Sequence, residues 1–324
     1  MRYYTLLLLS IIALNATAQH EEWRTGIRDT TYNTMQDYQH NLKKFPFIKI
    51  VPDSNSSKVR EKRNLVYCQV GGRQLHLDAF SPAKKLKKAM TAVLIIHGGG
   101  WRSGNRSQHI PLAQHLAGMG YTCFTLEYRL STEAFYPAAV NDIKSALKWM
   151  RANAKEFNID PTKFAIMGFS AGGQLAALTG VTSGLTRFDK NDCNNEQSSA
   201  VQAVIDIDGT LSFVHPESSE TQNQQNVGAS AWWIGYPRTE RLDLWEDASP
   251  LSYANRNTVP FLFLNSAVER MHAGRDDFKK AMDEKGVYTK VVTYENTPHS
   301  FCLYRPWFDP MVKDIDIFLS KIFK

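Results

Sequence analysis

A serine, a late histidine and a run of glycines are the residues of this chain whose types and spacing could do chemistry together. Ser170 stands in Gly168-Phe169-Ser170-Ala171-Gly172, a Gly-x-Ser-x-Gly pattern. The run before it, Phe164 to Met167, is short, apolar and strand-like; the run after it, Gln174 to Thr179, is small and helix-compatible. A serine on a sharp strand-to-helix turn presents its Oγ at a sheet edge above a helix N-terminus. Gly168 and Gly172 lack the Cβ atoms that would collide in such a turn. Acyl transfer by a serine further needs a base, a group that orients the base, and donors for the oxyanion.

The chain has nine histidines, of which His299 is placed best. It lies in Asn296-Thr297-Pro298-His299-Ser300-Phe301, a polar turn between the last predicted strand and the final helix. The glycine run, His97-Gly98-Gly99-Gly100-Trp101, ends an apolar strand. Backbone N–H groups there can face a site without side-chain obstruction, so Gly99 and Gly100, with Ala171, are the expected oxyanion donors. His-Glu-x-x-His and Cys-x-x-Cys are absent and no phosphate loop follows a strand, so neither a metal nor a cofactor is expected.

Hydrophobic periodicity supplies the elements that must position these groups. Leu65 to Val70 and Gln74 to Phe80 alternate about Gly71-Gly72, a hairpin signature. Strands follow at Ala92 to Ile96, Tyr121 to Glu127, Phe164 to Met167, Ala203 to Ile207, Pro260 to Leu264 and Val291 to Tyr294. Helices fit Pro111 to Met119, Ala138 to Ala154, Gly274 to Lys285 and Met311 to Phe323, with a short turn at Asp160-Pro161. Strands alternating with helices predict an α/β fold, a mostly parallel central sheet with helices on both faces. Residues 183–200 and 209–259 are insertions leaving the C-terminal ends of strands, where such folds bind ligands.

Five segments together resemble the α/β-hydrolase esterases of the hormone-sensitive-lipase-like group. They are His97-Gly98-Gly99-Gly100-Trp101, Glu127-Tyr128-Arg129-Leu130, Tyr136-Pro137-Ala138-Ala139-Val140-Asn141-Asp142, Gly168 to Gly173, and Pro298-His299-Ser300-Phe301. The likeness covers residues 64–324 and is greatest to the bacterial carbohydrate-esterase branch of feruloyl, acetylxylan and pectin esterases. It implies an α/β-hydrolase fold, a serine carboxylic-ester hydrolase of EC 3.1.1 type, and structural roles for Glu127, Arg129 and Asp142. It also implies where the acid stands. In that group the acid follows the strand before the histidine's strand, usually in His-Gly-x-x-Asp. Here Asn265 and Ser266 replace His-Gly, and Glu269 occupies the acid's position. Asp208, after the Ala203 to Ile207 strand, is the alternative, and Asp276 a third candidate. The runs about Arg270 and Arg275, and from Tyr304 to Phe308, resemble the pectin-esterase members. Arg270, Arg275 and Arg305 could grip a carboxylate through paired hydrogen bonds, and Trp101, Trp232, Trp233 and Trp307 could offer faces to sugar rings.

The expected substrate is therefore a polysaccharide or oligosaccharide ester, anionic in the case of pectin, losing methyl or acetyl groups through an acyl-enzyme on Ser170. Acetylxylan or feruloyl ester hydrolysis, a serine exopeptidase and a non-catalytic carbohydrate-binding relative are the alternatives. Formal net charge is +6 and pI about 9.0, with the basic clusters at Lys58 to Arg63 and Lys84 to Lys88 read as solvated surface. No nucleic-acid motif accompanies them. Arg2, the apolar Leu6 to Leu14 and Ala16-Thr17-Ala18 read as a signal peptide over residues 1–18, implying a secreted, periplasmic or extracellular protein with no membrane span after cleavage. Residues 19–63 are expected to form an arm packed on the body. The four cysteines, Cys68, Cys123, Cys193 and Cys302, allow three full pairings, with buried free thiols at least as natural for Cys68 and Cys123.

Overall fold

The apolar runs of the sequence become the interior of one twisted mixed sheet. A computed structural model describes residues 20–29, 31–54, 56–84, 86–218, 227–254, 256 and 258–323. The expected signal peptide lies outside them. Eight strands run in the order β2–β3–β5–β4–β6–β7–β8–β9. The hairpin β2 (Val59–Val70) and β3 (Arg73–Pro82) is antiparallel, and β3 meets β5 (Thr122–Leu126) antiparallel. From β5 the sheet is parallel through β4 (Met90–Ile96), β6 (Ile159–Phe169), β7 (Ala203–Ile207), β8 (Phe261–Asn265) and β9 (Thr289–Thr293). Every residue of β5, β7 and β8 is buried, as parallel strands covered on both faces must be.

Alternation along β4 divides the core. Ala92, Leu94 and Ile96 face one hydrophobic layer with α3 (Ala138–Ala152), α4 (Ala154–Phe157), α5 (Ala171–Val181) and α8 (Arg275–Asp283). Val93 and Ile95 face the other, with α2 (Ile110–Gly118) and α9 (Phe308–Phe323). Each buried Leu, Ile or Phe in these layers contributes about 1.5–3 kcal/mol. The fold is the α/β-hydrolase fold.

The elements depart from expectation in three places. Asp160-Pro161 lies within β6 rather than in a separate turn. Among its described residues the insertion 209–259 carries two short helices, α6 (Ala229–Ile234) and α7 (Leu242–Asp247). The segment before β2 holds a helix, α1 (Thr34–Leu42), capped by the Asn33 side chain accepting from the Gln36 N–H at 3.0 Å. Beyond α1, β1 (Lys49–Ile50) pairs antiparallel with β10 (Tyr304–Arg305), just past the His299 loop. Among the described residues, no helix is long and apolar enough to cross a membrane.

Cys68 is joined to Cys193, while Cys123 and Cys302 are buried free thiols. Of the alternatives the sequence leaves open, Cys123 takes the free thiol and Cys68 the bridge. Cys68 ends up on β2 beside the insertion after α5, which delivers Cys193 to it across a separation of 125 residues. Closing so long a loop constrains the unfolded chain strongly. Cys193→Ser is expected to lower unfolding stability by roughly 3–5 kcal/mol. Urea unfolding under non-reducing conditions checks this, and an unchanged midpoint would show the bridge to be energetically idle.

Candidate active site

The sharp turn after β6 holds Ser170 at φ 56° and ψ −120°, a conformation that L residues adopt only under constraint. The constraint is a close crossing of backbones. A Cβ on Gly168 would strike the Gly172 carbonyl, and one on Gly172 would strike that of Ile96, so both must be glycine. The Ser170 N–H donates to the Ile207 carbonyl at 2.8 Å, tying the turn to β7.

Ser170 Oγ lies 2.8 Å from His299 Nε2, and His299 Nδ1 lies 2.8 Å from Asp208 Oδ2. With the carboxylate accepting from Nδ1–H, Nε2 is left to accept from the serine hydroxyl. The imidazole also packs on Phe169, ring centres 4.8 Å apart. Asp208 follows β7 directly, at φ 53°, and is buried. Its Oδ1 accepts from the Ser266 N–H at 2.8 Å. Both carboxylate oxygens are thereby aimed.

The structure corrects the first choice of acid. Glu269 is exposed on the turn Glu269–His272 and lines a different cavity from Ser170. The reason is the path of the chain after β8. Asn265 and Ser266 stay buried, so the loop supplies a backbone donor to Asp208 and leaves the sheet before reaching Glu269. Asp276 pairs with Arg275 at 2.8 Å.

The cavity at Ser170 has a volume of about 160 Å³. Gly100, Trp101, Ala171, Phe213 and Arg270 are among its walls, with Ser230 from α6 and Met271 closing it. Of the expected oxyanion donors, Gly100 and Ala171 line the cavity. Gly99 does not; it shapes the turn, at φ 122°, with its carbonyl accepting from Ser103 N–H at 2.9 Å. Ala171 opens α5, so its N–H is one of the unpaired donors of a helix N-terminus. Trp101 is held by Nε1–H donating to Gln174 Oε1 at 2.9 Å and by stacking on Trp233. Gln174 in turn donates to the Ala248 carbonyl at 2.8 Å, a link that no sequence pattern signals.

The expected substrate arginines separate. Arg270 is exposed at the cavity wall and takes part in none of the ion pairs found among the described residues. Arg275 donates to Asn265 Oδ1 at 2.8 Å and pairs with Asp276, pinning its own loop. Arg305 pairs with Asp309 at 3.0 Å and lines neither cavity, because β10 carries it toward β1. Trp307 packs on Phe45 and Phe47, Trp233 is buried, and Trp232 lies against Trp23 and Arg102. Trp101 alone of the four lines the Ser170 cavity. Glu127 meets Arg73 and Arg106, and Asp142 meets Arg129, as structural pairs.

The segment before β2 braces the site from two sides. Arg28 donates to the Gly104 carbonyl at 2.9 Å and Asp29 accepts from Arg102 at 3.0 Å, both on the turn after the glycine run. Asn41 of α1 donates to Ser300 Oγ at 3.2 Å, next to His299.

Asp206, two residues before Asp208, is fully buried; its Oδ1 accepts from the Gly209 N–H at 2.7 Å while Oδ2 has no partner. Burial first, then the Asp208 charge, push its carboxyl well above the usual range. A folded-state pKa raised above the unfolded one means that its stabilising contribution is full in acid and is lost as pH rises past the unfolded value of 3.8. Asp206→Asn removes that titration. The melting temperature of the variant relative to the parent is expected to shift in the variant's favour between about pH 4 and pH 8; a constant difference would mean that Asp206 is already ionised.

The fold and the Ser170–His299–Asp208 arrangement define an α/β-hydrolase. The chain belongs to the BD-FAE family, whose model matches residues 77–271. It is 30% identical over 240 residues to the probable carboxylic ester hydrolase LipM of Mycobacterium tuberculosis, covering 72% of this chain and 54% of LipM. Esterase LipQ of the same organism is 28% identical over 71% of this chain and 54% of its own. The chain thus spans about half the length of the curated relatives it matches. Among solved structures, a truncated carbohydrate esterase from gut microbiota is similar at a TM-score of 0.66 and 23% identity, over 83% of this chain and 98% of that one. Propionate-bound esterase 2 of Thermogutta terrifontis has a TM-score of 0.66 at 24% identity, over 83% and 96%. At these identities the two structures bear on the fold alone.

Proposed function

We propose that this protein is a serine carboxylic-ester hydrolase that removes small acyl groups, acetyl foremost, from carbohydrate esters. The observation that carries it is the continuous chain Ser170 Oγ–His299–Asp208 at a cavity walled by Gly100 and Ala171. In this reading His299 takes the Ser170 proton as Oγ attacks the ester carbonyl. The N–H groups of Gly100 and Ala171 receive the negative charge on the carbonyl oxygen. His299 returns the proton to the departing sugar hydroxyl, leaving an acyl-serine. Water, deprotonated by the same imidazole, releases the acid. The ester hydrolase and esterase names of the curated relatives support the reaction class.

Cavity size supports the small acyl group. A cavity of about 150 Å³ accommodates one benzene-sized molecule, and this one measures about 160 Å³. Acetyl fits with room to spare. Methyl-ester removal from pectin would require a polymer-bound galacturonyl unit to enter as the acyl group. Of the three arginines that pointed to a uronate polymer, only Arg270 is at the cavity and unengaged. The Cys68–Cys193 bridge supports action outside the cytoplasm, where disulfides persist.

The test compares acetate release from acetylated xylan and acetylated pectin with methanol release from methylated homogalacturonan. Acetate release should dominate. Methanol release as the faster reaction overturns the acyl assignment, and no release from any of these or from p-nitrophenyl acetate overturns the function.

A further inference from the structure

Beside the Ser170 cavity lies a second, larger one of about 450 Å³, whose walls are Glu217, Glu269, Arg270, His272, Arg275 and Asp276. Arg270 is common to both. We propose that this second cavity is the subsite for the leaving alcohol, and that it binds a neutral oligosaccharide through its hydroxyls. The proposal rests on the reading of Ser170 as an esterase nucleophile.

Among the described residues the lining carries no aliphatic side chain and no ring but the His272 imidazole, which is unsuited to a lipid alcohol. Sugar hydroxyls both donate and accept, and this wall offers both. Glu269 accepts, Arg270 donates, and neither is engaged in an ion pair among the described residues. Hydrogen bonds with one charged member are the strong ones. Glu217 Oε2 accepts from the Gly274 N–H at 2.9 Å, which anchors its carboxylate at the rim. Arg275 is braced by Asn265 and Asp276 and so presents a fixed guanidinium. Burial and the Arg275 charge lower the basicity of His272, leaving a neutral imidazole that can donate and accept at once.

Charge selects the kind of sugar. Three carboxylates face two guanidiniums, and one of those guanidiniums is already paired with Asp276. A uronate chain would bring like charge against Glu217 and Glu269. A neutral chain such as xylan meets no such penalty.

The experiment measures kcat/KM for acetylated xylotriose, acetylated trigalacturonate and p-nitrophenyl acetate, whose leaving group makes no sugar contacts. For Glu269→Ala and, separately, His272→Ala, the ratio of acetylated xylotriose to p-nitrophenyl acetate should fall about 10-fold. In the parent enzyme the neutral ester should be the better of the two glycan substrates. A second arm measures binding of unacetylated xylotriose to Ser170→Ala by saturation-transfer NMR. The signal should weaken when Glu269→Ala is added. Ratios that stay constant, xylotriose binding indifferent to Glu269, or preference for the uronate overturn the subsite. Failure to hydrolyse p-nitrophenyl acetate sinks the esterase reading instead, and the binding arm still decides whether the cavity takes a sugar.

Discussion

Ser170→Ala should reduce kcat on p-nitrophenyl acetate by about 10⁶-fold while leaving the fold intact. Among the described residues lining the cavity, no other hydroxyl can replace the oxygen. Thr210, Ser218 and Ser230 also line it, but none is the hydroxyl at 2.8 Å from His299 Nε2. The strained turn is fixed by the Gly168 and Gly172 crossings and by the Ser170 N–H bond to Ile207, none of which uses Oγ. Alanine therefore inherits the backbone unchanged, and the melting temperature should move little. What remains is the catalysis that the oxyanion donors and binding give alone, roughly 10³–10⁴ over water. A variant within tenfold of the parent would remove Ser170 from the reaction. Covalent labelling by a fluorophosphonate, present in the parent and lost in the variant, reads the same oxygen without turnover.

The parts of the site legible in the sequence are those that backbone geometry forces into a pattern. Gly168 and Gly172 announce Ser170 because any larger residue would meet a carbonyl there. The glycine run before Trp101 announces a tight turn for a similar reason, since a Cβ on Gly99 would meet the Ser103 carbonyl. The place of His299 beside Ser170 is legible from order along the chain. The carboxylate that meets His299 is not, because a carboxylate needs no backbone signature. Asp208 and Glu269 both follow a strand end, and only the buried path of Asn265 and Ser266 decides between them.

Partners distant in sequence escaped for a related reason. Gln174 looks like an ordinary helix residue, yet it fastens Trp101 to the Ala248 carbonyl. The arm before β2 reads as polar and irregular, yet Arg28, Asp29 and Asn41 reach the turn after the glycine run and the loop of His299. Hydrogen bonds between residues tens to hundreds of positions apart leave no periodicity to read. Arg305 shows the converse: adjacency to His299 in sequence suggested a substrate contact, while pairing of β1 with β10 turns it away.

Asp208→Asn separates the two carboxylates by their chemistry. The carboxylate accepts twice, from Ser266 N–H and from His299 Nδ1–H. An asparagine can satisfy only one of these. If its oxygen stays on Ser266, its NH₂ faces Nδ1 and donates to it. The imidazole proton then moves to Nε2, which can no longer accept from Ser170. If the amide turns over, its NH₂ opposes the Ser266 N–H inside a buried pocket, an arrangement with two donors and no acceptor. The stable choice is the first, with the wrong tautomer, and kcat should fall about 10⁴-fold. Loss of the negative charge beside the imidazolium formed during reaction acts in the same direction. Glu269→Gln changes no group that touches His299, so its loss on p-nitrophenyl acetate should be at least about a hundredfold smaller. Near-equal losses, or a larger loss at Glu269, would show that the loop after β8 moves on substrate binding and that Glu269 takes over the imidazole. Retention of the parent's melting temperature in both variants would assign the difference to the proton on His299 rather than to folding.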